Sequence, residues 1–571
     1  MKELKPFVGR SFVPEQVDLA RREDVVRLLQ ELLDRPVESV VDLERWLLDR
    51  SEFEAALGQT GSFLYIAMTC DTSDSVKSQR YLKFVEEVEP AVKPLEHALD
   101  VKFLELEKRF SLDKDRYAIY RRSSAVAVKL FVERNIPLQT RLALLSQEYQ
   151  TICGAMMVTF DGREQTLPEM SRYLQETDRS LRERAWKAVA SRRMQESVRL
   201  EELFDRMLIL RNELALNAGF ANFRDYQFEA YQRFDYGPQD CRAYHQSVEE
   251  VVVPFLREIN ALRRAQMGVS TLRPWDTAVD PLARPALRPF KDVAQLQSGV
   301  GQVVRRIDSG LAELYDEMAA LQLLDLSSRK GKAPGGYQNT LDESRKPFIF
   351  MNAVGLDDDV RTLLHESGHA FHAYLCAHEP LVDYRHAPME FCEVASMSME
   401  LMANDHLDVF YTPADARRSV VEFLEGVVTT LAWVAVIDAF QHWLYENPGH
   451  SACERSQAWL RCHRQLSGDV LDWSGLENER TSLWHRQLHI FEVPFYYIEY
   501  GIAQLGALQL WRQFRKDPQA AVANYKKALA LGGSRPLPEL FQAMGIRFDL
   551  SREMMVPLLA DVRALWKELS A

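Results

Sequence analysis

Along most of the chain, apolar residues recur at three- and four-residue intervals, the period of one buried helix face. In "EDVVRLLQELLDR" (23–35) and "VDLERWLLDR" (41–50), Leu, Val and Trp mark such a face. A charged amphipathic stretch over 75–110 continues the pattern but contains Pro90 and Pro94, which are expected to end or kink a helix. Residues 183–218 form one long helical pattern that stops at Gly219, a good C-terminal signal. The best strand signals are "KAPGGYQNT" (332–340) and "KPFIFMNAV" (346–354), separated by the turn-like "LDESR". Between 271 and 290 four prolines predict an extended linker over the surface. The apolar run "VVTTLAWVAVI" (427–437), closed off by Glu425 and Asp438, is too short to span a bilayer and reads as a buried helix. No repeat of solenoid period is present. The expected fold class is mostly α with a small β-sheet near residue 340.

Composition narrows the function classes. The 571 residues suffice for more than one domain or for one large two-lobed body. A net charge of −13 and a pI near 5.6 lack the basic footprint of a nucleic-acid binder. Seven cysteines form no C-x-x-C pair, and their odd number fits reduced thiols better than a disulfide framework. The opening "MKELKPFVGRSFVPEQ" lacks the apolar core of a signal peptide. A cytoplasmic protein with neither nucleic-acid nor membrane partners is expected.

Chemistry concentrates in "DVRTLLHESGHAFHAYLC" (359–376). On a helix, residues four apart are offset by only about 40° and rise about 6 Å, so His365 and His369 project side by side. Glu366 sits on the adjacent flank, where a general base for a metal-activated water belongs. This is the H-E-x-x-H pattern of zinc peptidases. Catalytic zinc takes three protein ligands and keeps a position for water. The probable next helix, "APMEFCEVASMSMELM" (387–402), offers Glu390, Glu393 and Glu400, and spacing alone does not choose between Glu390 and Glu393. His372 lies one turn beyond His369, but three ligands along one straight helix would splay over about 10 Å, so it reads as packing or an outer partner. A di-iron site would need a second Glu-x-x-His pair, and only Glu366–His369 has that spacing.

At these residues the chain resembles the thimet oligopeptidase/oligoendopeptidase F family of zinc metallopeptidases. "GKAPGGY", "KPFIFMN", "DDDVRTLLHESGHAFH" and "EFCEVASMSMEL" are similar to consecutive blocks of that family's catalytic domain. "RNELALNAGFANFRDYQF" (211–228) and "LRPWD" (272–276) are similar as well. The resemblance implies a helical two-lobed zincin-type body with a deep substrate channel, an N-terminal helical lobe over 1–190 and a catalytic domain over 191–571. It also implies one Zn2+ per chain held by His365, His369 and Glu393, because "EVAS" looks like the family's Glu-x-x-Ser block, with Glu366 as base. "HIFEVPFYYIEYG" (489–501) resembles the segment that supplies a histidine and tyrosines to the transition state, which implies catalytic roles for His489, Tyr500 and Tyr497. The glycine-rich run of the thimet branch is missing, so the register of Tyr496, Tyr497 and Tyr500 stays open. The implied activity is zinc-dependent endopeptidase cleavage of short unfolded peptides. The alternative is a zinc amidohydrolase of the same fold, specialised for one small amide.

Overall fold

The computed structural model describes residues 4–329, 331–333 and 335–570. The first two predicted helices span Arg22–Asp34 and Val40–Cys70. Together with Glu89–Arg109 they bury Leu28, Leu32, Trp46, Phe53 and Phe103 in one apolar cluster. The Trp46 indole N–H donates to the Leu32 carbonyl at 2.9 Å, so the largest core side chain is also satisfied.

The prolines act differently from expectation. Pro90 lies in the first turn of Glu89–Arg109, where its missing N–H costs nothing, and Pro94 is carried inside that helix. The disturbance appears upstream, as a π-helical turn at Phe84–Val88 in which the Glu89 N–H bonds to Phe84. The long 183–218 pattern is two helices, Arg179–Gln195 and Ser197–Asn217, broken at Glu196 (φ −96°, ψ 0°). The stop at Gly219 holds, with φ +82°.

The linker at 271–290 is no loose surface strap. Leu272, Trp275 and Asp276 are buried, and Asp276 accepts hydrogen bonds from Arg179 and Arg182. The apolar run at 427–437 belongs to a 34-residue helix, Pro413–Glu446, that continues past both Glu425 and Asp438. That helix is long and apolar enough to cross a membrane by length and composition alone, yet its Val427, Val428, Leu431 and Val434–Ile437 are buried within the protein.

Five strands are described. β1 (Met157–Phe160) and β2 (Arg163–Thr166) form an antiparallel hairpin, turned by Asp161 and Gly162 at φ +53° and +72°. β3 (Leu324–Ser327), β4 (Tyr337–Leu341) and β5 (Lys346–Ala353) form a second sheet in the order β3-β5-β4. The predicted hairpin is the antiparallel β4–β5 pair, in which Gln338 faces Ile349 and Asn339 faces Phe348. Its first strand begins at Tyr337 rather than 332, and Pro334 lies outside the described residues. β3, which pairs with β5 in parallel, was not anticipated.

Two compact units divide the chain, each drawn from three segments. Unit 1 comprises 1–129, 287–419 and 503–548; unit 2 comprises 130–286, 420–502 and 549–571. The β3-β5-β4 sheet and the helix carrying the H-E-x-x-H pattern belong to unit 1.

Candidate metal centre

β5 leads through a short turn into the histidine helix, Asp357–Leu375. One side chain sets that entry: Asp359 Oδ2 accepts from the backbone N–H groups of Val354, Gly355 and Leu356 at 2.8–2.9 Å. A carboxylate there also complements the positive end of the helix dipole. The glutamate helix, Met389–Ala403, packs directly against the histidine helix. Gly368 makes this approach feasible, because a Cβ at that position would stand 2.5 Å from Ser396 Cα and 2.7 Å from the Ala395 oxygen.

The close packing brings three side chains to one point. A nitrogen of His365, a nitrogen of His369 and an oxygen of Glu393 lie within 4.8 Å of one another. Glu393 Oε2 is 3.3 Å from His365 Nε2 and 3.6 Å from His369 Nε2. Ligands held about 2.0–2.2 Å from a tetrahedral ion stand roughly 3.3–3.6 Å apart, so this donor set fits a zinc ion. Outer partners aim the rings. His365 Nδ1 pairs with Glu400 Oε1 at 2.7 Å, leaving Nε2 turned toward Glu393. Ser396 Oγ donates to Glu393 Oε2 at 3.1 Å, and the His369 ring bonds to the Cys392 backbone.

Electrostatics follow from burial and from the histidine–glutamate pairing. Burial opposes the charge on Glu393, but His369 and His365 outweigh it and hold the carboxyl down at about 2. Burial pushes His369 down to about 4. For His365 burial acts in the same sense, yet hydrogen bonds to Glu393 and Glu400 carry it well above the usual imidazole range. Glu366 is 8% exposed, and its carboxyl is pushed up to about 7, chiefly by burial. The backbone of Gln338, in β4, hydrogen-bonds to that carboxylate.

Glu390 is buried on the same helix but stands outside the trio. His372 packs edge-on against Phe391, ring centroids 5.7 Å apart, and is likewise outside it. Glu400 was legible as sharing a face with Glu393, but its grip on His365 was not, since a seven-residue spacing does not say which neighbour a carboxylate meets.

His489, Tyr496, Tyr497 and Tyr500 belong to unit 2, where they form an aromatic cluster of their own. The His489 ring is 4.7 Å from Tyr497 and 6.0 Å from both Tyr496 and Tyr500. Gln487 Nε2 meets His489 Nδ1 at 2.8 Å, and burial lowers this imidazole to about 4. All four rings are partly exposed.

The fold and the trio together define a mostly helical protein in which two histidines and a carboxylate able to hold a cation converge. The chain belongs to peptidase family M3, whose sequence profile matches residues 172–556. Among curated relatives, oligopeptidase PepF of Bacillus subtilis (strain 168) is 24% identical over 246 residues, 42% of this chain and 36% of that protein. The oligoendopeptidase F homolog of Borreliella burgdorferi is 24% identical over 223 residues, 38% of this chain and 37% of that protein. The chain thus matches little more than a third of the length of these relatives. Over the whole fold, the solved structure of PZ peptidase A with an inhibitor is similar at a TM-score of 0.87 and 26% identity, covering 98% of this chain and 99% of that one.

Proposed function

We propose that this chain is a zinc-dependent endopeptidase that cleaves internal bonds of short unfolded peptides in the cytoplasm. The observation that carries this reading is the convergence of His365, His369 and Glu393 with a buried glutamate, Glu366, on the adjoining flank of the same helix. His365, His369 and Glu393 are the residues that would hold the ion, with Glu400 and Ser396 fixing their orientation. Bound there, zinc would polarise the scissile carbonyl and acidify a water molecule.

The chain's own residues supply the remaining steps. Glu366 accepts the proton of the attacking water and delivers it to the leaving amine. Its partly apolar burial suits a group that must carry a proton between two partners. β4 pairs with β5 alone among the described strands, and the Gln338 backbone reaches Glu366. An extended substrate adding to the other edge of β4 would be read through main-chain hydrogen bonds, which tolerate many sequences. Tyr500 and His489, then Tyr497, are assigned as donors to the oxyanion, by the family resemblance of their segment and by their clustering.

The test is a ladder of peptides from dipeptides to a small folded protein, digested with and without a zinc chelator and read by mass spectrometry. Internal cleavage confined to short peptides, lost on chelation and restored by zinc, is expected. Intact peptides at every length, with the metal still bound, would overturn the peptidase reading in favour of an amidase for a specialised small substrate.

A further inference from the structure

A second constellation lies in unit 2 and shares no residue with the trio on the histidine helix. Two helices, Pro238–Ser247 and Pro413–Glu446, each carry a pair of ligating side chains four residues apart: Cys241 with His245, and Asp438 with His442. Each pair therefore projects from one face of its helix. A ligand atom from each of Cys241, Asp438 and His442 lies within 4.8 Å of the other two. Asp438 Oδ2 is 2.8 Å from His245 Nε2 and 3.4 Å from His442 Nε2. The corresponding distances around Glu393 in the first site are 3.3 and 3.6 Å, so the two clusters are built to a similar gauge.

The cluster is sealed. Cys241 and Asp438 are 0% exposed and His442 is 3% exposed. Phe228 and Phe495 face the His442 ring edge-on at 6.0 and 5.4 Å. Beside these rings, Nδ1 of His442 and Oδ1 of Asp438 have no hydrogen-bond partner. Leaving such groups unsatisfied in the interior is costly, and a coordinated ion would answer that need. The cysteines are all free, so Cys241 is not engaged in a disulfide.

We propose that Cys241, Asp438 and His442 form a second, buried divalent-cation site suited to zinc, with His245 holding Asp438 from outside at 2.8 Å. One thiolate, one imidazole and one carboxylate supply three of the four donors a structural zinc site takes, and the mixture of sulfur and nitrogen favours zinc over magnesium or calcium. On coordination Cys241 releases its S–H proton to solvent and its sulfur lone pair forms the bond to the ion. The ion would tie the 238–247 helix to the 413–446 helix. The inference stands or falls independently of the peptidase reading.

The decisive measurement is metal content of the full-length chain after zinc loading and dialysis, paired with cobalt substitution. Two zinc ions per chain are expected for the wild type, one for His369→Ala, and none for His369→Ala combined with Cys241→Ser. Cobalt bound at the second site gives a near-ultraviolet thiolate charge-transfer band, which the first site, lacking cysteine, does not produce. That band is expected in the wild type and in His369→Ala and absent in Cys241→Ser. A single equivalent that disappears in His369→Ala, or cobalt loading without the band, would overturn the proposal. The wild-type cobalt spectrum needs no substitution, so a variant that fails to fold leaves the test intact.

Discussion

Glu366 and Glu400 both flank the same histidines but make different contacts. The Glu366 carboxylate is bonded to the Gln338 backbone, whereas Glu400 grips His365 Nδ1 at 2.7 Å. Glu366→Gln is therefore expected to retain bound zinc while kcat falls by about 10²–10⁴, the usual worth of a general base. Metal content and turnover measured on one preparation check this, and loss of the ion as well would make Glu366 a structural group. Glu400→Ala is expected to weaken zinc affinity by about 10–100-fold, as loss of an outer partner does. Competition with a chelator measures it. Glu393→Ala should lose the ion outright, while Glu390→Ala should leave affinity unchanged. At this scale much was readable in advance: a four-residue spacing on a helix dictates which side chains share a face. Spacing alone left Glu390 and Glu393 open and the "EVAS" resemblance implied Glu393, which is the one that the packing of the glutamate helix brings beside His365 and His369.

Between elements, contact depends on what is missing from a surface as much as on what is present. Gly368 lies between His365 and His369 in the chain and is the point where the histidine helix meets the Ala395–Ser396 backbone. Gly368→Ala places a methyl group 2.5 Å from Ser396 Cα, and backbone cannot swing aside as a side chain could. The two helices must separate, carrying Glu393 away from His365 and His369. A loss of about 1–3 kcal/mol in stability is expected from overpacking, together with weakened zinc binding, read by thermal unfolding with and without the metal. A normal melting temperature with full zinc content would show that the helices tolerate the shift. The elements themselves were legible to differing degrees. The β4–β5 hairpin announced itself by composition and turn residues. The β1–β2 hairpin carried an equally good signal, the Asp-Gly turn in "TFDGRE", which helical periodicity on both sides obscured. β3 offered too little, since the alternation of Leu324, Asp325, Leu326 and Ser327 runs for only four residues and becomes a strand only with β5 alongside.

Across the whole molecule, connectivity rather than periodicity decides what supports the site. All three candidate zinc ligands and Glu366 lie before residue 400, yet unit 1 takes its last segment from 503–548. Tyr525 in that segment donates its hydroxyl to the Ala395 carbonyl at 2.9 Å, beside the contact point of Gly368. Gly532 (φ +51°) is pressed against the loop between the two site helices, where its N-terminal neighbours turn back: a Cβ there would fall 2.0 Å from the Tyr384 oxygen. The adjoining Gly533 N–H donates to that same oxygen at 2.8 Å. This long-range junction could not be read from the chain, because a glycine pair in "LGGSRP" signals a turn and does not name the distant backbone it will meet. Gly532→Ala must both adopt a left-handed backbone and relieve an overlap with main chain. Its cost is expected to exceed the roughly 1 kcal/mol of an ordinary Gly-to-Ala mismatch. Because the displaced loop, around Tyr384, joins the histidine helix to the glutamate helix, zinc affinity should fall with stability although no ligand is touched. Excess zinc should then recover part of the lost melting temperature by mass action. A variant destabilised as expected but with unaltered zinc affinity would show that the 503–548 segment supports the unit 1 core without bearing on the spacing of the ligands.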